Sequence, residues 1–138
     1  MTEIEPPVLR WVGNAIVEVG KPLSVGRGPQ GERRIVPVSG GRVTGAWDGV
    51  VQAGGADWQE VHTDGTTTLA ARYPVMLSDG RTVCFVARGV RPAASVNGGF
   101  RTSLLVEGDT VDATSTTVYV AEGRKVDGAV EFDIFEVS

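Results

Sequence analysis

Residues 127–137 read DGAVEFDIFEV and contain the clearest strand pattern of the chain. The Asp-Gly pair that opens the segment is typical of a tight turn, because glycine adopts positive φ without strain. In a strand, successive side chains point to opposite faces. Phe132 and Ile134 therefore share one face, and Glu131 and Asp133 share the other. The segment predicts a hairpin strand with one apolar face.

The same signals recur along the chain, whereas helical periodicity is almost absent. Further Asp-Gly pairs stand at residues 48–49, 64–65 and 79–80, and strand-like runs occupy residues 8–19, 34–38, 57–62, 68–77, 81–88 and 116–121. Long antiparallel strands leave exposed edges unless the sheet closes. We therefore predict an all-β fold, a single antiparallel β-barrel with an internal cavity, ahead of a jelly roll. One domain is expected over residues 1–138, with loops at residues 26–32 and 91–99.

Composition narrows the function classes. The 138 residues carry a net charge of -4, which disfavours nucleic acid and anionic membranes as partners. No apolar run approaches the roughly 20 residues that span a membrane, and the acidic N-terminus does not read as a signal peptide. We expect a cytoplasmic protein whose partner is a small molecule.

Familiar catalytic motifs are either missing or out of context. Residues 26–31 fit the spacing G-x-G-x-x-G, but a strand-like segment follows them, whereas a phosphate site needs a helix there. His62 is the one histidine and Cys84 the one cysteine, so the chain offers no zinc set. No G-x-S-x-G elbow presents a serine for a triad with His62. We therefore expect no metal and no cofactor.

Polar residues embedded in the strands are the remaining candidates for chemistry. In the segment GGADWQ, residues 54–59, alternation sends Asp57 and Gln59 to one face and Trp58 to the other. Charged groups inside a sheet are costly to bury unless they are paired or used. They point either to solvent or into a barrel lumen, where Asp57 would act as a general base and arginines would hold an anionic or enolate oxygen.

Two segments, in their order along the chain, resemble the sequences of the DUF3237 family, also called UPF0311. These segments are GERRIVPVSGG at residues 31–41 and GGADWQ at residues 54–59, supported by ARY at 71–73 and FRT at 100–102. The resemblance implies a small β-barrel with an internal cavity, often found as a dimer, and a largely undefined activity. It also singles out residues at positions that the family tends to keep: Asp57, Trp58, Arg72 and Arg101. Family members usually have Arg-Asn where this chain has Val86-Ala87, which indicates a divergent pocket.

The leading hypothesis is a cofactor-independent enzyme of the isomerase, dehydratase or cyclase type, acting on a partly apolar carbonyl compound in the lumen. Asp57 would be the acid/base, and Arg72 and Arg101 would stabilise negative charge. The substrate-binding candidates are Trp58, Gln59, Tyr73, Arg34, Arg88 and Tyr119. Two alternatives are a non-catalytic barrel that binds or carries a ligand and a structural subunit whose lumen is filled. A homodimer is expected.

Overall fold

A computed structural model describes residues 3–95, 98–108 and 113–138. Within these ranges the chain forms ten strands, and a short 3₁₀ turn at Ala113–Thr116 precedes the ninth. The strands are β1 Leu9–Val19, β2 Leu23–Gly28, β3 Gly31–Gly45, β4 Gly49–Val51, β5 Ala56–Val61, β6 Thr67–Leu77, β7 Thr82–Arg91, β8 Phe100–Gly108, β9 Val118–Val126 and β10 Ala129–Val137.

The strands pair antiparallel and close into a barrel. The order β1-β10-β9-β8-β7-β6 continues through β4 and β5, which both pair with β6 on one side and β3 on the other. The second half of β3 then pairs with β1 and closes the ring, while β2 pairs with its first half. Because β4 and β5 occupy one position in succession, eight positions surround the axis. The predicted antiparallel β-barrel is confirmed.

The glycines of most predicted Asp-Gly turns adopt the positive φ that such turns require. Gly65, Gly80 and Gly128 adopt φ of 90°, 91° and 69°, as the Asp-Gly signals predict. At residues 48–49 the prediction of a hairpin glycine was wrong: Gly45 takes the positive φ of 101°, and Gly49 begins β4. Gly49 is required there for a different reason, because a Cβ would lie 2.7 Å from the backbone oxygen of Met76.

Of the two segments expected to be loops, residues 26–32 differ from that prediction, whereas the described part of residues 91–99 agrees with it except at Arg91. Residues 26–32 belong mostly to the hairpin of β2 and β3, in which a register shift between Ser24 and Gly26 absorbs an extra residue. Strand β7 continues through Arg91, so the connection to β8 begins at Pro92. Residues 96 and 97 of that connection lie outside the described ranges.

The two ends of the barrel are filled differently. At one end Trp47 packs edge-on against Phe85 and Tyr119, with ring centroids 5.6 and 5.1 Å apart. Around these rings lie fully buried aliphatic side chains, including Val43 and Ile134. The other end retains a cavity of about 270 Å³. Aromatic packing thus closes one half of the lumen, and a pocket remains in the other half.

We expect Gly55→Ala to destabilise the barrel strongly. A Cβ at Gly55 would overlap the backbone of Arg72 and Tyr73 on β6, and a backbone atom cannot rotate away. Overpacking of this kind costs about 1–3 kcal/mol. Urea unfolding would measure the loss against Gly28→Ala, since a Cβ at Gly28 meets nothing within 4 Å. Equal unfolding free energies for the two variants would contradict this account of Gly55.

Candidate functional site

The segment GGADWQ begins β5 on the wall of the cavity. Gly54 has a φ of 115°, which suits glycine, and leads the chain into the strand between β3 and β6. From there Asp57 and Gln59 line the cavity. Trp58, with 56% of its surface exposed, lies on the outside of the barrel. The alternation of one short strand therefore places a carboxylate and an amide together on the inner wall.

A directional chain of hydrogen bonds holds the Asp57 carboxylate. Arg34, which lies opposite Gln59 in the register of β3 and β5, donates from Nη2 to Gln59 Oε1 at 2.8 Å. Gln59 then donates from Nε2 to Asp57 Oδ2 at 2.7 Å. The backbone N–H of Ala70 on β6 donates to Asp57 Oδ1 at 3.1 Å. Both oxygens of Asp57 are acceptors, which is the pattern that an ionised carboxylate provides.

Burial nevertheless raises the pKa of Asp57 above the ordinary value of 3.8. The hydrogen bonds from Gln59 and Ala70, and the charges of Arg91 and Arg34, act in the opposite direction but are outweighed. In the described parts of the chain, no lysine or arginine nitrogen lies within 4.0 Å of an Asp57 carboxylate oxygen, which is the longest distance for an ion pair. A buried carboxylate of this kind binds a proton more readily than an exposed one, as a general base requires.

Tyr73 is another residue that lines this cavity. The side chain is buried, and its hydroxyl has no hydrogen-bond partner among the residues that the structure describes. Burial strongly raises the pKa of Tyr73, and the charges of Asp57 and Cys84 raise it further. The phenol therefore stays protonated at any physiological pH. It is a buried hydrogen-bond donor without an acceptor in the described chain.

Arg34, Arg91 and Lys125 bring positive charge to the cavity wall. The Nε atoms of Arg34 and Arg91 are buried and have no acceptor in the described ranges. Burial lowers the pKa of Arg91, and so does the charge of Arg34, whereas Asp57 raises it. Burial likewise lowers the pKa of Lys125, and the charges of Arg91 and Arg34 add to the effect. These cations lie close enough to repel one another.

The rest of the wall is mostly apolar. The ring of Phe100 lies so close to Gly123 that no Cβ could fit between them. Thr102 is a buried polar residue on the same wall. Apolar side chains from six strands complete the lining, among them Val17, Val36, Leu69, Ala87, Val126 and Phe132. A few polar groups set into an apolar wall are typical of small-molecule sites.

Arg72 and Arg101, predicted to face the lumen, lie on the outer surface. Their side chains are 66% and 83% exposed, and they pair with Glu107 and Glu122 at 3.1 and 3.6 Å. Strand alternation explains both positions, since Arg72 precedes the buried Tyr73 and Arg101 precedes the buried Thr102. Neither arginine lines the cavity that contains Asp57.

Three further candidates are also separated from this cavity. Trp58 and Arg88 are exposed on the outside of the barrel. Tyr119 is buried in the packed half against Trp47. The structure thus brings together Asp57, Gln59, Tyr73 and Arg34 from the predicted set, and it adds cationic residues that sequence reasoning missed.

Strand length explains why Arg91 and Lys125 were missed. The sequence-based strands ended at residues 88 and 121, whereas β7 and β9 continue to Arg91 and Val126. Every second residue after the buried Ala87 and Ala121 points to the same face, and this series includes Arg91 and Lys125. Had the predicted strands been longer, alternation alone would have placed both side chains inside the barrel.

The described residues contain no cluster of three or more His, Cys, Asp or Glu side chains suited to a metal ion. His62 lies with Nε2 2.7 Å from Thr68 Oγ1 and Nδ1 3.2 Å from the Gln30 carbonyl oxygen. Within the same ranges, no helix combines the length and the apolar character needed to cross a membrane.

Comparison with known proteins identifies relatives over most of the chain. Residues 7–137 match the family model described as "Protein of unknown function (DUF3237)". A UPF0311 protein of Clostridium acetobutylicum is 33% identical over 93 residues, which cover 66% of this chain and 59% of that protein. The match therefore spans less than two thirds of that relative's length. The resemblance predicted from the sequence is confirmed.

Solved structures share the barrel at lower sequence identity. A beta-barrel like protein from Acinetobacter baumannii is 22% identical with a TM-score of 0.90, and the match covers 100% of both chains. A structure described as an enzyme from Penicillium herquei is 16% identical with a TM-score of 0.81, and the match covers 100% of this chain and 99% of that one. At these identities the likeness shows the fold alone.

Proposed function

Because the chain belongs to the DUF3237 family, whose description names no reaction, we propose a function from the site itself. The protein is an enzyme that works without a cofactor. It transfers a proton within a small, partly apolar carbonyl compound bound in the barrel. Isomerisation, dehydration and cyclisation all belong to this reaction type.

One observation carries the proposal: a partly buried carboxylate and a phenol without a partner in the described chain line one mostly apolar cavity. Burial raises the pKa of Asp57, which makes its carboxylate a stronger base than that of an exposed aspartate. The Tyr73 hydroxyl has no acceptor among the described residues and is free to donate to a ligand oxygen. A base and a hydrogen-bond donor at one site are the minimum that enolisation requires.

In the proposed reaction Asp57 removes a proton from the carbon next to the carbonyl group. The C–H electron pair forms the enolate, and the negative charge moves to the carbonyl oxygen. Tyr73 donates a hydrogen bond to that oxygen, and Arg34 and Arg91 stabilise its charge. The protonated Asp57 then returns the proton to another atom of the same molecule. Stabilisation of the negative charge, which the sequence analysis assigned to Arg72 and Arg101, is here assigned to residues on the inner wall.

The surroundings of Asp57 support this use. The mostly apolar lining lowers the polarity around the carboxylate, and in such an environment fixed charges act more strongly on a developing enolate. Gln59 and the Ala70 N–H hold the carboxylate in one orientation. The description of the Penicillium herquei structure as an enzyme is compatible with catalysis in this barrel.

A ligand-binding barrel is the second candidate. This function is favoured by the three buried donors that have no acceptor in the described chain, on Arg34, Tyr73 and Arg91. They can hold a ligand without any reaction. Proton exchange separates the two functions, since a carrier binds a ketone without exchanging its α-protons.

We expect the protein to catalyse α-proton exchange in at least one ketone that it binds. A panel of cyclic and aryl ketones in D₂O would be followed by NMR, and general-base catalysis predicts a rate increase of about 100-fold or more. The rate should fall as pH falls through the pKa of Asp57, because a protonated carboxyl accepts no proton. The midpoint should lie above 3.8, since burial raises that pKa. Bound ketones that do not exchange at any pH would refute the enzyme and favour the carrier.

A further inference from the structure

The charge inside the cavity is opposite to that of the whole protein. The chain has a net charge of -4, yet among the residues that the structure describes, Arg34, Arg91 and Lys125 share the cavity with a single carboxylate, Asp57. The cavity is lined by residues of β1, β3, β5–β10 and the adjoining turns, so the cations come from strands distant in sequence. This concentration of positive charge calls for an explanation at the site itself.

Among the described residues, these three cations also lack the carboxylate partners that most other arginines have. In the part of the chain that the structure describes, seven arginines pair with a carboxylate at 2.8–3.8 Å, namely Arg10, Arg33, Arg42, Arg72, Arg81, Arg101 and Arg124. Within the described ranges Arg34, Arg91 and Lys125 have no such pair, and two buried Nε atoms have no acceptor at all. Buried donors without acceptors are costly, so a bound acceptor would stabilise this wall.

Asp57 does not neutralise the group. Its two oxygens accept from Gln59 and Ala70, and Arg34 reaches it only through Gln59. Burial lowers the pKa values of Arg91 and Lys125, and the repulsion among the cations adds to this effect. An anion placed among them would relieve that repulsion and gain charge-assisted hydrogen bonds.

We propose that the cavity binds a small organic anion whose carboxylate lies against Arg91, Lys125 and Arg34 and whose apolar body lies against Leu69, Phe100 and Phe132. The guanidinium fork matches a planar carboxylate, and the apolar wall covers a hydrocarbon or aromatic body. The cavity volume of about 270 Å³ restricts the ligand to a small molecule.

The identity of this anion as the substrate rests on the proposed function, whereas its binding does not. Combined with enolisation at Asp57, the substrate class becomes carbonyl compounds that also carry a carboxylate. The carboxylate would orient the molecule, and the carbonyl group would lie near Tyr73.

A matched pair of ligands tests the anion site without any turnover. Phenylacetate and phenylacetamide have nearly the same shape and differ in charge, and neither is expected to react. We expect phenylacetate to bind the wild-type protein about tenfold more tightly or better in titration calorimetry, with a preference that weakens as salt is added. Hexanoate and hexanamide form an aliphatic pair for the same comparison.

The variant Arg91→Gln/Lys125→Gln should lose the preference while binding the amides nearly as before. Arg27→Gln/Arg42→Gln is the control, because it removes the same charge from exposed positions outside the cavity. Equal binding of acid and amide by the wild-type protein, binding of neither pair, or an unchanged preference in the cavity variant would overturn the proposal. Ketone exchange without anion preference would refute this site alone, and anion preference without exchange would refute only the enzyme.

Discussion

Asp57→Asn is expected to abolish α-proton exchange while leaving the barrel folded. The asparagine has nearly the same shape but no basic oxygen, so the proton has no acceptor at the place where Asp57 stands. Loss of a positioned general base reduces rates by about 10²–10⁴-fold. The NMR exchange assay measures the loss with any ketone that the wild-type protein turns over. Exchange at the wild-type rate in this variant would remove Asp57 from the mechanism.

The hydrogen-bond chain through Gln59 allows a control that separates chemistry from structure. In Asp57→Asn the amide oxygen can still accept from Ala70, but the new N–H groups then face Gln59 Nε2, which is itself a donor. Gln59 cannot reverse its amide without turning a donor toward Arg34. The single variant should therefore lose about 1–3 kcal/mol of unfolding free energy.

Asp57→Asn/Gln59→Glu restores every donor–acceptor pair and keeps the net charge. A glutamate at position 59 accepts from Arg34 and from the new asparagine, so the unfolding free energy should return most of the way to the wild-type value. Exchange should remain absent, because the carboxylate has moved to a neighbouring position. Recovery of exchange together with stability would mean that the single variant failed for structural reasons.

The fold could be predicted from the sequence because each of its signals is local. In β10 the apolar face of Phe132 and Ile134 is visible in the alternation alone, and both side chains are buried. The glycines of three Asp-Gly turns have the positive φ that the dipeptide demands. Closure could be predicted because strands of 9 to 15 residues would expose long rows of unpaired backbone groups at the two edges of an open sheet.

The inner face of each strand was harder to predict, because closure decides it rather than local pattern. Both faces of β6 carry apolar side chains: Leu69 and Val75 lie on one, Pro74 and Met76 on the other. An observer with the sequence alone cannot tell whether Arg72 or Tyr73 lies inside. In β5 alternation placed Asp57 and Gln59 on one face and Trp58 on the other without deciding which face lies inside, and the structure places Asp57 and Gln59 on the cavity wall.

Tyr73→Phe is expected to reduce exchange without reducing stability. The hydroxyl is buried and has no hydrogen-bond partner in the described chain, so its removal breaks no hydrogen bond there and relieves a desolvation cost of about 1–3 kcal/mol. The melting temperature should be equal to or higher than that of the wild-type protein. The exchange rate should fall about 100-fold, because one donor to the developing enolate is lost.

Tyr119→Phe provides the matched control for this variant, since it removes a phenolic hydroxyl from the packed half of the same barrel. Its exchange rate should equal that of the wild-type protein, because Tyr119 does not line the cavity. A drop in the melting temperature of Tyr73→Phe with undiminished exchange would assign Tyr73 a structural role. Stability that is kept or gained while catalysis is lost is the expected mark of a polar group retained for its chemistry, because a hydroxyl serving only the fold would have a partner within it.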